Sequence, residues 1–277
     1  MNTYKLVDLK NIESNIVTSE TNLSICLTAS GFYFSLIDNN YILKCLGEFE
    51  ADLNGGITQI MMTIKECFKS IGIHIFNFNR TRIVCQTSKN VWIPYRLYDA
   101  TKNRDYLSTT NSVHSSETII ANTSEKLDAE NIFAYPLQIH SGLKVVMPKA
   151  KFITPSYVLA EYAFDIASLK NNTMILYKRN NACDFAVFKG NEFTLSNSFS
   201  YSSPEDMIYF ILNTLQQTGI NSGEVCLLIT GEDYSERELS LLQKFVQEVS
   251  YANVKENIIV DKEFDCMSLQ KYFMVLA

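Results

Sequence analysis

The sequence has no CxxC pair, no cluster of histidines and none of the glycine-rich phosphate motifs. Each absence removes a class of chemistry. Seven cysteines are present, at 26, 45, 67, 85, 183, 226 and 266, but no two lie closer than 18 residues, which argues against a zinc knuckle. Their number is odd and most neighbours are apolar, as in SICL around Cys26 and EVCLLI around Cys226. Both facts point to reduced, buried thiols. His74, His114 and His140 are scattered, so neither a metal site nor a catalytic triad is indicated. Without GxxxxGK[ST] or GxGxxG there is no P-loop and no Rossmann turn, and without GxSxG there is no nucleophile elbow.

Proline and glycine are also scarce, at 5 and 10, so no long flexible linker is expected. Basic residues number 24 against 30 acidic ones, for a net charge of −6. A sequence-independent nucleic-acid binder needs a cationic face to displace counterions. The densest basic stretch, Asn79-Arg80-Thr81-Arg82, has two charges and fits a strand or turn. No nucleic-acid partner is therefore expected. No apolar run approaches the roughly 18 residues of a membrane span. The opening MNTYKLVDLK has no apolar core of a signal peptide. A soluble, cytoplasmic protein is the expectation.

What is there is a packed globular chain, with 47% hydrophobic and 19% charged residues. Apolar alternation predicts strands at 23–28, 32–37 and 41–49, with a turn at Asp38-Asn39-Asn40. Ile57, Ile60, Met61, Ile64, Phe68 and Ile71 follow helical spacing, and Gly72 marks the helix end. HIFNF, 74–78, reads as a fourth strand. The second part repeats this order. Strands fall at 174–177, 185–188 and 193–201, with turns at 180–181 and 189–191. Ser203-Pro204 with Glu205 and Asp206 starts a helix, which ends near Gly219. A buried strand follows at 225–230. Ile60, Met61, Ile64, Phe68 and Gly72 match Met207, Ile208, Ile211, Leu215 and Gly219 at a constant offset of 147. Phe34 and Phe185, and Leu43 and Leu195, match at 151 and 152. An internal duplication explains such small drift.

The first repeat is interrupted. A strand with an irregular or helical tail is expected over 92–111, with short strands at 118–121 and 132–134, and a polar insertion over 102–130. A short helix at 143–147, a strand at 151–154 and a helix at 156–169 follow. In the second repeat, 235–250 reads as a helix with Leu239, Leu242, Phe245 and Val246 inward. Ser235 and Glu238 form its capping box. A last strand is expected at 256–260 and a helix at 264–276. The expected division is 1–169 and 170–277.

Two βββαβαβ units flanking a central cleft are the plan of the actin-like ATPase class of ribonuclease H-like α/β folds. The segments LSICLTASGFYFSLI, IFNFNRTRIV and FITPSYVLAEYAF resemble a bacterial family catalogued only as a domain of unknown function (DUF3822-type), with that fold and PilM-like. The resemblance runs from about Leu23 to the end. It implies two hairpins that grip nucleotide phosphates, each with Asp and Gly, and a later double glycine that holds adenosine. The matching positions are Thr28, Ser30 and Gly31, then Lys178, Arg179, Asn180 and Asn181, then Gly231. The acids are missing from both hairpins, and Glu232 stands where the second glycine belongs. Without a carboxylate, magnesium has no organiser and hydrolysis loses its main electrostatic support. Lys178 and Arg179 read as a solvated strand-end pair. Two-metal nucleases of related fold need acids on the first and fourth strands; 23–28, 74–78, 174–177 and 225–230 have none.

The expectation is a non-catalytic interaction or scaffold module with no cofactor and an unknown protein partner. PilM-like relatives bind a partner's peptide in a groove of the first half, which places the partner surface near 102–130. The alternative is an ATP-binding protein, ATPase or kinase of the actin, Hsp70 and sugar-kinase superfamily, with ATP and magnesium.

Overall fold

The computed structural model describes residues 4–10, 16–74, 76–167, 172–254, 258–260 and 269–277. Its N-terminal part forms strands β1 (Tyr4–Lys10), β2 (Thr21–Leu27), β3 (Gly31–Asp38) and β4 (Leu43–Ala51), helix α1 (Ile57–Ser70) and strand β5 (Arg80–Cys85). An inserted module follows, with β6 (Asn90–Pro94), α2 (Asn103–Ser108), β7 (Glu117–Ser124) and β8 (Ala129–Pro136). Then come α3 (Leu137–Val146), β9 (Lys151–Ile153) and α4 (Pro155–Ala167). The C-terminal part has β10 (Asn172–Arg179), β11 (Ala182–Lys189), β12 (Glu192–Ser200), α5 (Pro204–Thr218), β13 (Cys226–Gly231), α6 (Glu236–Phe245), β14 (Glu248–Tyr251) and α7 (Phe273–Leu276).

Two sheets repeat one plan. The first has the order β1-β4-β3-β2-β5-β9 and the second β12-β11-β10-β13-β14. In each, the meander is antiparallel and the last two strands join it in parallel. The helix ends match as well. Ile73 N–H donates to Phe68 O, and Ile220 N–H donates to Leu215 O, each at 2.9 Å. Phe68 and Leu215 are the residues that the 147-residue offset pairs.

The alternation seen in the sequence sorts the core. Phe32, Phe34 and Leu36 pack under α1 with Phe49 and Phe68, whose ring centroids lie 5.1–6.5 Å apart. Each buried ring contributes roughly 1.5–3 kcal/mol. Met174, Leu176, Phe185 and Val187 form the matching core under α5 and α6. A third core lies between the sheets. Cys26, Tyr33, Ile175 and Tyr177 meet α4 and α7 there. All six described cysteines are buried, and none of them is in a disulfide.

Several elements differ from expectation. The fourth strand is β5, not 74–78. Apolar alternation at Ile73, Phe76 and Phe78 serves instead to pack a connection against Phe68, with Phe76 5.5 Å from its ring. β5 opens with two arginines, which hid it. The insertion expected over 102–130 is present, and it is packed. It contains α2, β7 and the start of β8, and Leu107 and Ser124 are fully buried within it. β7 and β6 flank β8 in a sheet of their own. Helix α6 stops at Phe245, because Glu248–Tyr251 is taken up as the parallel neighbour of β13. Phe245 is consequently exposed and Leu239 only half-buried, whereas Leu242 and Val246 face inward as expected. Residues 258–260 hold no strand of the second sheet. Ile259 bridges instead to Ile42 of the first, and 255–257 lie outside the described residues. Of the helix expected over 264–276, 264–268 are likewise outside, Gln270–Tyr272 form a 3-10 turn, and α7 covers Phe273–Leu276. β1 lies outside the expected elements; Leu6 and Val7 are both exposed and its register shifts between Leu6 and Asp8, so its apolar residues keep no simple alternation.

Candidate functional site

Both hairpins that face the cleft have the same two-residue turn. In the first, Thr28 N–H donates to Gly31 O at 2.9 Å across Ala29-Ser30. In the second, Arg179 pairs with Ala182 across Asn180-Asn181. Between them lies a cavity of about 570 Å³. Its walls include Leu27, Thr28, Arg179, Ala182 and the β12 residues Ser198 and Ser200. The inserted module closes another side through Lys89 and Glu117.

Of the eight positions singled out by sequence, only Thr28 and Arg179 line this cavity. Ser30 is exposed, and its carbonyl accepts from Ala51 N–H at 2.9 Å. Asn180 and Asn181 are exposed turn residues. Gly31 is buried and fixed by packing, since a Cβ there would sit 1.9 Å from Phe49 O. Gly231 has the same kind of reason, with a Cβ 2.2 Å from Lys178 O at a φ of +100°. Both glycines let two backbones approach, as glycine alone can.

Lys178 is not a solvated strand end. It is buried, and its Nζ lies 2.7 Å from both the Asp233 carbonyl and the Glu238 carboxylate. Buried lysines survive only when paired in this way. Burial would raise the Glu238 carboxyl, but the bonds from Lys178 and Ser235 outweigh it and hold the carboxyl below its ordinary range. The capping box at Ser235 and Glu238 is present, so one glutamate serves the helix end and the ion pair together. Arg179 is also paired, 2.8 Å from Asp184. Burial pushes the Asp184 carboxyl above its ordinary range against the pull of Arg179 and Ser198. In the module, Lys89 and Glu117 stand 2.8 Å apart. Cys26 lies beneath the cleft and accepts from Gln86 Nε2 at 3.7 Å; burial pushes its thiol up to about 12, so it is no nucleophile.

Asp184, Glu117 and the β12 serines escaped the sequence reading. Asp184 left a signal, one acid inside the apolar run ACDFAVF. Such an acid needs a buried partner. Glu117 left none, because its role depends on where the module folds back. Among the described residues, no group of three or more His, Cys, Asp or Glu side chains is placed to hold a metal. No described helix is long and apolar enough to cross a membrane.

Two sheets of this order facing a common cleft define the actin-like ATPase fold. A protein of that fold and unknown function from Bacteroides thetaiotaomicron superposes with a TM-score of 0.72 at 22% identity, over 92% of this chain and 96% of that one. The PilM–PilN type IV pilus biogenesis complex superposes with a TM-score of 0.61 at 11% identity, also over 92% and 96%. No curated protein matches the chain in sequence. The chain belongs to the DUF3822 family of proteins of unknown function, whose model matches residues 11–249.

Proposed function

We propose that this protein is a non-hydrolysing binding module, built from two actin-like halves that divide near residue 170 and descend from one duplicated unit. One observation carries the reading: the charged groups of the cleft are already paired, Arg179 with Asp184 and Lys89 with Glu117, and Lys178 behind the second hairpin with Glu238. A nucleoside triphosphate brings about four negative charges and needs free cations and a carboxylate-held magnesium. Freeing Arg179 for phosphate would strand Asp184 in the core, a charge without a partner. The test is thermal unfolding with and without Mg²⁺-ATP. Ligand at 100 times its dissociation constant stabilises by about 2.7 kcal/mol, worth at least about 5 °C for a chain of this size. The expected result is no shift at millimolar nucleotide and no phosphate release. A clear shift with phosphate release would overturn the reading.

Nucleotide binding without turnover is the second reading, favoured by the cavity volume of about 570 Å³ and by Thr28 beside it. A shift with no phosphate release would select it.

The PilM in that complex is bound to a protein partner, which supports a protein partner here. The inserted module offers Tyr95 and Leu97, 56% and 63% exposed, as its contact points. Deleting 102–130 would remove buried Leu107 and disrupt the module, so serine at both exposed positions is the cleaner probe. Loss of a purified partner with unchanged melting supports this surface; unchanged binding removes it.

A further inference from the structure

Among the described residues, strand β12 ends its sheet and is bonded on one side only. Tyr201 N–H donates to Asn181 O at 3.1 Å, which sets the phase of the ladder with β11. Bonding directions alternate in an antiparallel ladder. The backbone groups of Asn197 and Phe199 therefore face β11, and those of Ser196, Ser198 and Ser200 face away. Natural sheets block a free edge with charge, proline or a bulge. Here 193–200 holds no charge and no proline, and the single register shift lies near its start, opposite Val187 and Phe188.

Two cavities border this strand. Ser198 and Ser200 line the cleft of about 570 Å³ at its end. Phe193 and Thr194 line a second cavity of about 490 Å³ at its start, with Trp92, Pro94, Leu127 and Phe164. The second cavity's charges also balance, Arg96 and Lys126 against Asp128 and Glu192.

We propose that β12 accepts an added strand, an extended and uncharged peptide segment of a partner protein whose alternate side chains enter the two cavities. The proposal rests on the binding-module reading and names its ligand class. Strand addition supplies affinity through the backbone and specificity through every second side chain. From Phe193 to Ser200 the strand spans roughly 24 Å, enough to reach both cavities. Neutral walls call for a neutral occupant. A second copy of β12 fits poorly, since its inward column, Ser196, Ser198 and Ser200, is too short to fill a cavity lined by Trp92 and Phe164.

The test selects phage-displayed random nine-residue peptides against the intact protein and synthesises the best. Enriched peptides should lack charged residues and contain a large apolar one. Binding should shift the emission of Trp92, the chain's one tryptophan. Ser200→Pro should weaken binding at least tenfold, because it removes an outward N–H and spares the bonds to β11. Asn197→Ala should strengthen it severalfold, because Asn197 Oδ1 occupies Ser198 N–H at 2.8 Å in the free protein. Peptides N-methylated at alternate residues should fail against the unaltered protein, which needs no variant to fold. Absent enrichment, equal binding to Ser200→Pro, or a dimer of the intact protein that Ser200→Pro dissolves would overturn the proposal. An ATP-induced shift would overturn the binding-module reading by a separate measurement.

Discussion

Replacing Glu238 with glutamine is expected to cost about 3–5 kcal/mol of folding stability at neutral pH, the usual loss when one member of a buried ion pair is removed. The glutamine keeps the shape and one acceptor oxygen for the Ser235 cap, so the loss is that of the charge and of the second acceptor facing Lys178. Lys178 would remain buried without its counter-charge, beside the Asp233 carbonyl at 2.7 Å and the Tyr234 ring at 5.0 Å. Alanine should cost about 1 kcal/mol more, because it also removes the cap. The sign of the pH dependence follows from the depressed Glu238 carboxyl. A carboxyl whose folded pKa lies below its unfolded value of about 4.3 stabilises the fold above that value. The contribution disappears as pH falls through the folded pKa. Chemical denaturation of both proteins from pH 7 down to pH 2 should therefore show a gap that is constant near neutrality and closes below about pH 4. A gap under 1 kcal/mol at pH 7 would show that Lys178 has another neutraliser, and one that persists at the acid end would show that the loss does not come from the Glu238 charge.

That pair also shows where sequence reading stops. Periodicity located the meanders, α1, α5 and the matched residues Phe68 and Leu215, because apolar spacing reports directly which face is buried. Ser235 and Glu238 were legible as a cap, because the capping box is local. The partnership of Glu238 with Lys178 was not, since 60 positions separate them. Thr28 and Arg179, singled out on the hairpins, line the cavity between the two sheets. Gly31 and Gly231 carry the right residue for a different reason, backbone crossing, which a single sequence does not distinguish from phosphate approach. The errors at 74–78 and 246–250 share a cause. A short apolar run fits a strand, a helix end or a packed connection equally, and a neighbouring strand decides the outcome.

Phe273→Ala is expected to have the other large effect, about 3–5 kcal/mol for a fully buried phenylalanine. Phe273 is 0% exposed, in the core between the two sheets, with the Tyr162 ring 4.9 Å away. The C-terminal segment 270–277, which contains its helix, is bonded to both sides. Ser35 Oγ donates to Val275 O at 2.6 Å from the first sheet, and Thr230 Oγ1 donates to Gln270 O at 3.3 Å from the second. Arg82 adds a bond to the Ala277 carbonyl. Direct links run alongside, with Tyr33 O–H donating to Glu232 at 3.2 Å and Lys271 paired with Glu48 at 2.6 Å. A clamshell that closes on each substrate needs a hinge with few packed contacts. A shared apolar core of this kind resists such closure and suits a cleft that is held open for a preformed ligand. The two halves should accordingly unfold together. Denaturation followed by Trp92 emission and by far-ultraviolet circular dichroism should give coincident midpoints in the parent, and Phe273→Ala should lower both equally. Separated midpoints in the parent, or a loss below 1 kcal/mol in the variant, would mean that the halves are coupled elsewhere and that the cleft is free to move.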